Sequence, residues 1–562
     1  MLTITRFKAI NIDHRGRLKS NQPSIHETQD IPFASQGVAG ARQHSQRCPE
    51  STGQLIASLV ASAVTPDWDH VASRSRRPDE TDRHLAPSPS AARQLGEDDA
   101  LRDYDTAWGP APTRVSKARR ITVIGCGHVG LVMAAGFAKL GHDVTGLDRS
   151  PDLIRSLNAG QVPFHEVGLP ELVEDSLDSK RLTFTTSYAE AVPRAEFIFL
   201  AVDTPGTLAG AADLRNIRAA ASDIALALNG TSPIIVNKST SPIGTGETIE
   251  GILRRDLEEA HTQPRIVSNP EFLRQGLAVH DFFHPDRVVI GARSEVDARA
   301  VAELYEGLGG EVLLTSLRTA EMIKYVANSF LATRISFINE IAHLCEALNV
   351  DIDSVVEGIG HDPRIGTHFF KPGIGFGGSC LPKDIAALRY MGEALGVSTP
   401  MMSAVQQVNI RQRTSAVRRL RAALGGNLDG KTIAVWGVTF KGNTEDTRES
   451  PAVDVIELLL NEGANVRLYD PSAPERLPER LRNAMCVDPL EATRGADALA
   501  VLADWPEFRQ IPLDQVRHTM SGDVLFDGKN TMDAHEVAAH GLNYIGVGRG
   551  AIQPALAMAV AR

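Results

Sequence analysis

Hydrophobic and polar positions change their period along the chain, and these changes predict its elements. In "RRITVIGCGHVGLVMAAGFAKLGHDVTGLDRS" a β-branched run is followed by a glycine turn, a helical pattern and a second apolar strand that ends in Asp148. Short apolar strands follow at "AEFIFLAVDTP", "PIIVNKST" and "PRIVSNPEF", with helical stretches between them. This alternation predicts βαβ units and a parallel sheet that is covered by helices.

From about Thr319 the period becomes helical and stays so to about Gly425. The first part, "TAEMIKYVANSFLATRISFINEIAHLCEALNV", predicts one long helix with apolar residues at helical spacing, namely Met322, Val326, Phe330, Ile338 and Ile341. Such a helix is typical of a spine between domains and can form a dimer surface. A buried core helix is the more economical interpretation of the same spacing.

The βαβ pattern returns at "KTIAVWGVTFKGNTEDTRESPAVDVIELLLNEGANVRLYDPSAP", and strands at "DALAVLAD" and "DVLFDGKN" extend it. The predicted fold class is therefore α/β, with two Rossmann-like, doubly wound parallel-sheet domains joined by a central helical domain with a long spine helix. The predicted boundaries are 119–316, 317–425 and 426–562.

Residues 1–118 differ from the rest, with stretches such as "SRSRRPDETDRHLAPSPSAARQ". Such a composition buries too little apolar surface to offset the entropy of ordering, so we predict a disordered N-terminal extension. A regulatory tail and a translation start placed too far upstream both fit this segment.

Composition narrows the class of protein. The chain has 562 residues, 43% of them hydrophobic and 23% charged, with a net charge of -11, which argues against a nucleic-acid binder. Its five cysteines are far apart, with no pair at metal-ligand spacing, so we expect a reducing compartment, no disulfides and no metal. The apolar run "LIASLVASAV" is too short to span a membrane, and we predict a cytoplasmic protein.

The glycine turn "GCGHVG" predicts a dinucleotide site. Gly125 allows the tight turn, Gly127 admits a pyrophosphate to the backbone, and Gly130 lets helix and sheet pack closely. Asp148, at the end of the next strand, is placed to bind ribose hydroxyls, which favours NAD over NADP. Arg149, beside that acid, weakens the preference for NAD.

The stretch "GIGFGGSCLPKD" raises a second question, because Cys380 follows several glycines and precedes Pro382. Proline suits the first turn of a helix, so Cys380 is predicted at a helix N-terminus, where the dipole and Lys383 favour a reactive thiolate. A buried cysteine in a glycine-rich turn is the other interpretation.

Two further pairs admit a functional and a plain interpretation. Lys324 and Asn328 lie one helical turn apart and can stabilise an oxyanion together, or they form an ordinary solvated pair. Phe440 and Lys441, in the turn of the second α/β half, can stack on a base and neutralise a phosphate, or they belong to a degenerate repeat.

The ordered sequence resembles the UDP-glucose and GDP-mannose dehydrogenase family, most strongly the branch that acts on UDP-glucose. The resemblance runs from Ile121 to Gly548 through "VIGCGHVG", "AVDTP", "NKSTSPIGTGE", "SNPEFLRQG", "PDRVVIG", "EMIKYVANSFLA", "DPRIG", "GIGFGGSCLPKD" and "FKGNTEDTRESPA", in family order. It implies an NAD domain, a central helical domain that forms a dimer or higher homo-oligomer, a C-terminal UDP-sugar domain, and a role in polysaccharide biosynthesis. It also implies a four-electron oxidation of UDP-glucose to UDP-glucuronate with NAD, in which a cysteine captures the aldehyde as a thiohemiacetal and then a thioester.

The resemblance also assigns roles to residues at matching positions. As the catalytic set it implies Cys380, Lys324, Asn328, Asp384, Glu271 and Thr240, the last also near the cofactor. Around NAD it implies Gly125, Gly127, His128, Val129, Gly130, Asp148, Thr204, Lys383 and Arg448. Around the sugar nucleotide it implies Lys324, Asn328, Phe272, Leu273, Phe376, Gly377, Phe440, Lys441, Lys529 and, from a neighbouring subunit, Arg364.

Two positions depart from the family pattern. Gln275 stands where the family often has a second acid, and Lys529 stands where an arginine commonly grips a phosphate, so the bidentate fork is lost. The same chemistry on GDP-mannose or a UDP-N-acetylhexosamine is the nearest alternative function. A catalytically inactive, sugar-nucleotide-binding regulator is a more distant one.

Overall fold

The computed structural model describes residues 117–256, 263–472 and 476–549, and the backbone of 551–552. The predicted disordered segment 1–118 lies outside these residues except for its last two. Among the described residues the N-terminal sheet has eight strands in the order β3-β2-β1-β4-β5-β6-β7-β8. These are β1 (Arg120–Ile124), β2 (Asp143–Leu147), β3 (Leu182–Thr185), β4 (Phe197–Leu200), β5 (Ile234–Asn237), β6 (Arg265–Ser268), β7 (Arg287–Ala292) and β8 (Glu311–Thr315).

The N-terminal sheet is parallel except at one pair of neighbours. Strand β7 runs antiparallel to β6 and parallel to β8, so the prediction of a wholly parallel sheet fails at this pair. Helices cover the sheet: α1 (His128–Leu140), α2 (Pro151–Asn158), α3 (Leu169–Asp178), α4 (Tyr188–Ala191), α5 (Arg215–Ala227), α6 (Thr245–Asp256), α7 (Ala278–Phe283) and α8 (Glu295–Ala302). The predicted strand–turn–helix–strand unit is formed by β1, α1 and β2.

The central region is helical, as the sequence predicts. It consists of α9 (Leu317–Leu348), α10 (Ile352–Gly360), α11 (Leu381–Ala394) and α12 (Pro400–Ala423). The interpretation of α9 as a plain buried helix is wrong over its first half, because Met322, Val326 and Phe330 are 42%, 52% and 59% exposed. The buried face carries polar side chains instead, among them Lys324 and Asn328, while further along Ile338 is buried and Ile341 half-buried.

The C-terminal sheet has the order β10-β9-β11-β12-β13-β14 within the described residues. Its strands are β9 (Thr432–Trp436), β10 (Asn465–Tyr469), β11 (Ala498–Val501), β12 (Val524–Asp527), β13 (Asn543–Gly546) and the antiparallel β14 (Ala551–Ile552). Its helices are α13 (Pro451–Asn461), α14 (Glu479–Arg482), α15 (Pro489–Thr493), α16 (Leu513–Thr519) and α17 (Ala534–Ala539). Two parallel-sheet α/β halves with a helical middle confirm the predicted fold class.

The long helix α9 joins the two halves. Near its start Leu317 belongs to one core of the N-terminal half, together with residues of β4 and β5. Further along, Ile338 and Ala342 belong to the core of the C-terminal half, with Ile433 and Val435 of β9. The middle of α9 therefore lies at the junction of the halves, where the carboxyl ends of the N-terminal strands converge.

Candidate active site

The turn after β1 has the geometry of a dinucleotide site. Gly125 has φ +95°, and a Cβ there would lie 2.6 Å from the carbonyl oxygen of Ala201. A Cβ on Gly130 would clash with the Gly125 carbonyl, so helix and turn can approach only without side chains. Gly127 is exposed, and a Cβ there would meet nothing within 4 Å. This open space in front of the first turn of α1 suits a pyrophosphate.

Asp148 follows β2 and lies beside the same turn. One carboxylate oxygen accepts the N–H of Cys126 at 2.9 Å and the other accepts that of Ser150 at 3.0 Å. The side chain is half-buried, so lone pairs remain for ribose hydroxyls. With the open space at Gly127, these residues fit an NAD molecule. Val129, the second residue of α1, packs its side chain against the N-terminal core.

Thr204 and Thr240 come together although 36 residues separate them. They follow β4 and β5, and the Thr204 hydroxyl donates to the Thr240 carbonyl at 2.6 Å. Both therefore lie on the carboxyl edge of the sheet, the side on which ligands bind in open α/β folds.

Cys380 is the N-cap residue of α11, with Pro382 in the first turn, as predicted. Cys380 is exposed to solvent, although protein atoms also crowd round its thiol. The buried-cysteine interpretation is therefore wrong. An exposed thiol can be reached by a ligand.

The predicted stabilisation of a Cys380 thiolate is wrong. Crowding by the protein and the charge of Glu271 raise the pKa of the thiol, and the Lys324 ammonium only partly opposes them. Lys383, the predicted source of positive charge, instead donates to Asp384 at 2.6 Å. Cys380 is therefore protonated, and Lys324 is the cation that opposes the rise of its pKa.

Lys324 and Glu271 form a buried ion pair beside Cys380. Nζ of Lys324 and Oε1 of Glu271 are 2.9 Å apart, and the side chains are 5% and 7% exposed. The other Glu271 oxygen accepts the N–H of Leu273 at 2.7 Å. Although burial alone would lower the pKa of Lys324, the combined effects of Glu271, Cys380 and Asp384 outweigh burial and raise that pKa. The same pairing keeps the pKa of Glu271 below its usual value, so both groups are charged.

Phe272 lies next to this pair and contacts two cations. Its ring centroid is 5.3 Å from Nζ of Lys324 and 4.0 Å from the guanidinium carbon of Arg287. The ring face therefore shields one side of the buried ammonium group.

Asn328, Asp384 and Lys383 form a second polar cluster one helical turn further along α9. The amide nitrogen of Asn328 donates to one oxygen of the buried Asp384 at 2.6 Å, and Lys383 binds the other. Asp384 also acts electrostatically on Lys324 and Cys380. The structure thus places the predicted catalytic residues Cys380, Lys324, Asn328, Asp384 and Glu271 around one point.

Sequence reasoning missed Lys238, which is buried behind the ion pair. Its Nζ lies 3.0 Å from Oδ1 of Asn269 and 3.2 Å from the Tyr305 hydroxyl. Burial lowers the pKa of Lys238 to about 7, against the raising effect of Glu271, while Lys324 lowers it further. Its place in "NKST", directly after a buried strand, was the signal that could have revealed it.

The glycines before Cys380 allow their loop to pack closely against the C-terminal half. Side chains on Gly377 or Gly378 would collide with Glu449 and with the ring of Phe440, both in the loop after β9. Phe376 is buried, and its backbone N–H and C=O both bond Asn409, at 2.7 and 3.0 Å. The thiol loop is therefore fixed against the C-terminal half.

A group of lysines acts electrostatically on the half-buried Asp504 in the C-terminal half. Lys529 donates to the Phe440 carbonyl at 3.3 Å, and Lys441, Lys371 and Lys529 all act on Asp504. Burial would raise the pKa of Asp504, but these lysines lower it to about 2. Three cations against one carboxylate leave net positive charge, which suits a diphosphate. Lys371 was missed because a lone lysine before "PGIG" carries no pattern.

Two predicted arginines bond neighbouring acids in this chain. Arg364 is exposed and binds Asp362. Arg448 binds Asp446 and acts electrostatically on Cys380, so it lies near the thiol. The helices in the described ranges include none with the length and apolar character of a membrane span.

A glycine turn that fits NAD, together with an exposed thiol near the junction of two α/β halves, points to an NAD-dependent dehydrogenase as the class of protein. Family models of the UDP-glucose/GDP-mannose dehydrogenase family match the NAD binding domain at 119–309, the central domain at 318–411 and the UDP binding domain at 434–534. The chain belongs to this family.

Individual relatives and solved structures agree with this family assignment. The UDP-glucose 6-dehydrogenase of Bacillus subtilis strain 168 is 42% identical over 439 residues, which are 77% of this chain and 94% of the relative. A UDP-glucose dehydrogenase structure from Pyrobaculum islandicum has a TM-score of 0.70 at 38% identity and covers 77% of this chain and 98% of its own. A UDP-D-ManNAc dehydrogenase structure from Pyrococcus horikoshii has a TM-score of 0.69 at 28% identity, with 76% and 99% covered.

Proposed function

We propose that this protein oxidises the C6 alcohol of UDP-glucose to the carboxylate of UDP-glucuronate, with NAD as oxidant. The observation that carries the proposal is the position of the Cys380 thiol, which is exposed to solvent and under the electrostatic influence of Glu271, Lys324 and Asp384. When bound, NAD accepts one hydride in each of two oxidations. The roles of the side chains follow from their contacts.

Cys380 holds the intermediate between the two oxidations. Its sulfur adds to the C6 aldehyde, the S–H proton passes to the carbonyl oxygen, and a thiohemiacetal forms. Loss of the C6 hydride and of the hydroxyl proton then leaves a thioester. Water breaks the carbon–sulfur bond, which releases the carboxylic acid and regenerates the thiol.

Lys324 stabilises the negative charge that develops on oxygen in these steps. Its ammonium group is buried and held at 2.9 Å from Glu271, so it needs little reorganisation when the oxyanion forms. Asn328 keeps Asp384 in place through the 2.6 Å bond and offers its remaining amide N–H to the same region.

Hydrolysis of the thioester needs a positioned water and a base. Glu271 and Asp384 are the two carboxylates that act on Cys380, and Thr240 lies on the adjoining sheet edge. We assign the water to the space between Thr240 and Asp384, with Glu271 assisting.

The lysines around Asp504 bind the diphosphate of the substrate, and Phe440 and Lys441 lie on its path to the thiol. We assign UDP-glucose as the substrate, rather than another sugar nucleotide, from sequence identity. The chain is 38% identical to the UDP-glucose dehydrogenase structure and 28% identical to the UDP-D-ManNAc dehydrogenase structure. Lys529 neutralises a phosphate without a bidentate fork.

The working unit in this proposal is a homodimer in the cytoplasm. The exposed apolar face of α9, with Met322, Val326 and Phe330, is the dimer surface, and Arg364 reaches the neighbouring subunit's sugar site. The described cysteines, Cys126, Cys345, Cys380 and Cys486, are free thiols, as expected in a reducing compartment.

A panel of sugar nucleotides tests the proposal. UDP-glucose, GDP-mannose and UDP-N-acetylmannosamine are each incubated with NAD while NADH absorbance and the product mass are followed. We expect UDP-glucose to give the highest kcat/KM, with two NADH for each UDP-glucuronate and no free aldehyde. A higher kcat/KM for either other sugar would overturn the substrate assignment, and free aldehyde at one NADH per sugar would overturn the covalent route.

A further inference from the structure

Gln275 bridges the two α/β halves of the chain. Its side-chain nitrogen lies 3.3 Å from Nε2 of His128, the first residue of α1 at the dinucleotide turn. The same side chain also acts on the Asp446 carboxylate in the C-terminal half and helps to lower its pKa. A primary amide has two N–H donors, which is the number needed for these two acceptors.

The two acceptors are fixed by other contacts of their own. The His128 ring stacks on Phe164 with centroids 3.8 Å apart, and burial lowers the pKa of His128 to about 4, so the ring is neutral and can accept. Asp446 binds both Nε and a terminal nitrogen of Arg448, at 2.9 and 2.6 Å. Gln275 thus joins a neutral imidazole to a paired carboxylate.

The backbone around Gln275 is also held. Glu166 accepts the N–H groups of Gly276 and Ala278, each at 2.8 Å. Gly276 has φ +83°, and a Cβ there would lie 2.6 Å from the carbonyl oxygen of Asn443 in the C-terminal half. The two halves therefore meet backbone to backbone beside this side chain.

These contacts explain the amide at position 275. A carboxylate there would face the Asp446 carboxylate and would have no proton to donate to either acceptor. The amide of Gln275 is instead engaged with His128 and Asp446.

We propose that Gln275 is a positioning residue that couples NAD binding to sugar-nucleotide binding by tying the dinucleotide turn to the loop 440–449. This loop carries Phe440 and Lys441 toward the diphosphate site and Arg448 toward Cys380. The inference rests on the proposed function, because it requires that the protein bind both NAD and a UDP-sugar.

The test is a binding cycle with NAD and UDP, a pair that cannot turn over. Calorimetry gives the Kd of each alone and with the other at saturation, for the unmodified protein, Gln275→Glu and Gln275→Met. Gln406→Glu is the matched control, because Gln406 is also half-buried but binds Arg389 within the helical region. Thermal melting of each variant shows whether it is folded. If Gln275→Glu does not fold, the Gln275→Met variant decides the test, because it keeps the shape of the side chain and removes both donors.

We expect UDP to tighten NAD binding by about 10-fold in the unmodified protein, within the usual range of coupling between sites. Both Gln275 variants should reduce this factor to about 1, and Gln406→Glu should keep it. At saturating ligands, acid release from a preformed thioester should stay within about 2-fold in Gln275→Met, since no base is removed.

An unmodified protein that binds both ligands without coupling, or a Gln275→Met variant that keeps the full factor, would overturn the inference and leave the proposed function standing. Failure of the unmodified protein to bind NAD or UDP at all would overturn both.

Discussion

The two α/β halves begin with the same backbone and use it differently. Strand β1 is followed by Gly125 with φ +95°, and strand β9 is followed by Gly437 with φ +90°, so the chain turns the same way in both. In each half a Cβ on this glycine would collide with a residue just beyond the neighbouring strand, Ala201 after β4 or Ala503 after β11. The halves differ in the residues that come after this turn.

The acid after the second strand shows this difference. Asp148 accepts one N–H from its turn and is half-buried, so it remains available to a ligand. Asp470 is 2% exposed, and one oxygen accepts the N–H groups of Val438 and Thr439 and the Thr439 hydroxyl. The same residue type is placed to bind a ribose in one half and holds the loop in the other.

The third residue after each glycine also differs. His128 begins α1 directly and stacks on Phe164, whereas Phe440 lies in a long loop that reaches Pro451 before α13 begins. The short turn brings a helix N-terminus to a pyrophosphate, and the long loop brings side chains to the junction. The chemistry therefore lies between the halves and belongs to neither sheet alone.

The largest difference between the junction and the C-terminal half is expected when one cation is removed from each. Lys324→Met should lower kcat by about 10²- to 10³-fold, because one preorganised oxyanion partner is lost. Lys441→Met should mainly raise KM, since its role is in binding. Steady-state and single-turnover NADH formation measure both; equal loss of kcat in the two variants would contradict the division of roles.

The second contrast concerns the stability of the fold. Asp470→Ala should lower the free energy of unfolding by about 2–4 kcal/mol, because buried N–H groups lose their acceptor. Asp148→Ala should cost about 1 kcal/mol or less, because its turn is open to water. Urea unfolding of the two variants compares them directly, and an equal loss would remove the distinction between the two acids.

The same two variants should differ in the opposite sense when NAD is titrated. Asp148→Ala should raise the Kd for NAD by about 10-fold, as expected for loss of a charge-assisted hydrogen bond. Asp470→Ala should leave that Kd within about 2-fold while the protein is folded. Quenching of protein fluorescence on NAD addition measures both, and unaltered affinity in Asp148→Ala would show that this acid does not contact the cofactor.

The last contrast is a pH dependence at His128. Because burial lowers the pKa of His128 to about 4 from about 6.5, the fold binds fewer protons than the unfolded chain between these values. The contribution of the neutral His128 ring to the free energy of unfolding is present above pH 6.5. It is lost as the pH falls toward 4, and the loss is about 3 kcal/mol at most. His128→Phe keeps the stacking and cannot titrate, so its unfolding midpoint should fall less with acid; parallel pH profiles would refute the assignment.

Much of this comparison could be predicted from the sequence because it depends on local pattern. The turn glycines and Asp148 follow from spacing after a strand, and Pro382 predicts the helix that begins after Cys380. Helical periodicity also predicted α9 to within two residues of its observed start at Leu317.

The features that could not be predicted depend on contacts between distant segments. The outward direction of Met322 on α9 is set by the polar residues that the junction buries on the opposite face. The raised pKa of Cys380 arises from crowding by the protein and from Glu271, which is 109 positions away in sequence but acts on the thiol electrostatically. The neutral amide at Gln275 has meaning only once His128 and Asp446 face it from two halves.

The central claim is that the thiol at the junction holds the sugar covalently between two oxidations. Single-turnover NADH formation with UDP-glucose, followed by mass spectrometry of the quenched protein, tests it in Cys380→Ala with Cys126→Ala as the control. Cys126 is buried in the dinucleotide turn, and burial raises the pKa of its thiol. We expect a sugar adduct on the unmodified protein and on Cys126→Ala, and in Cys380→Ala no adduct and acid formation lower by orders of magnitude with both ligands still bound. Acid formation at a near-normal rate in Cys380→Ala would contradict the account.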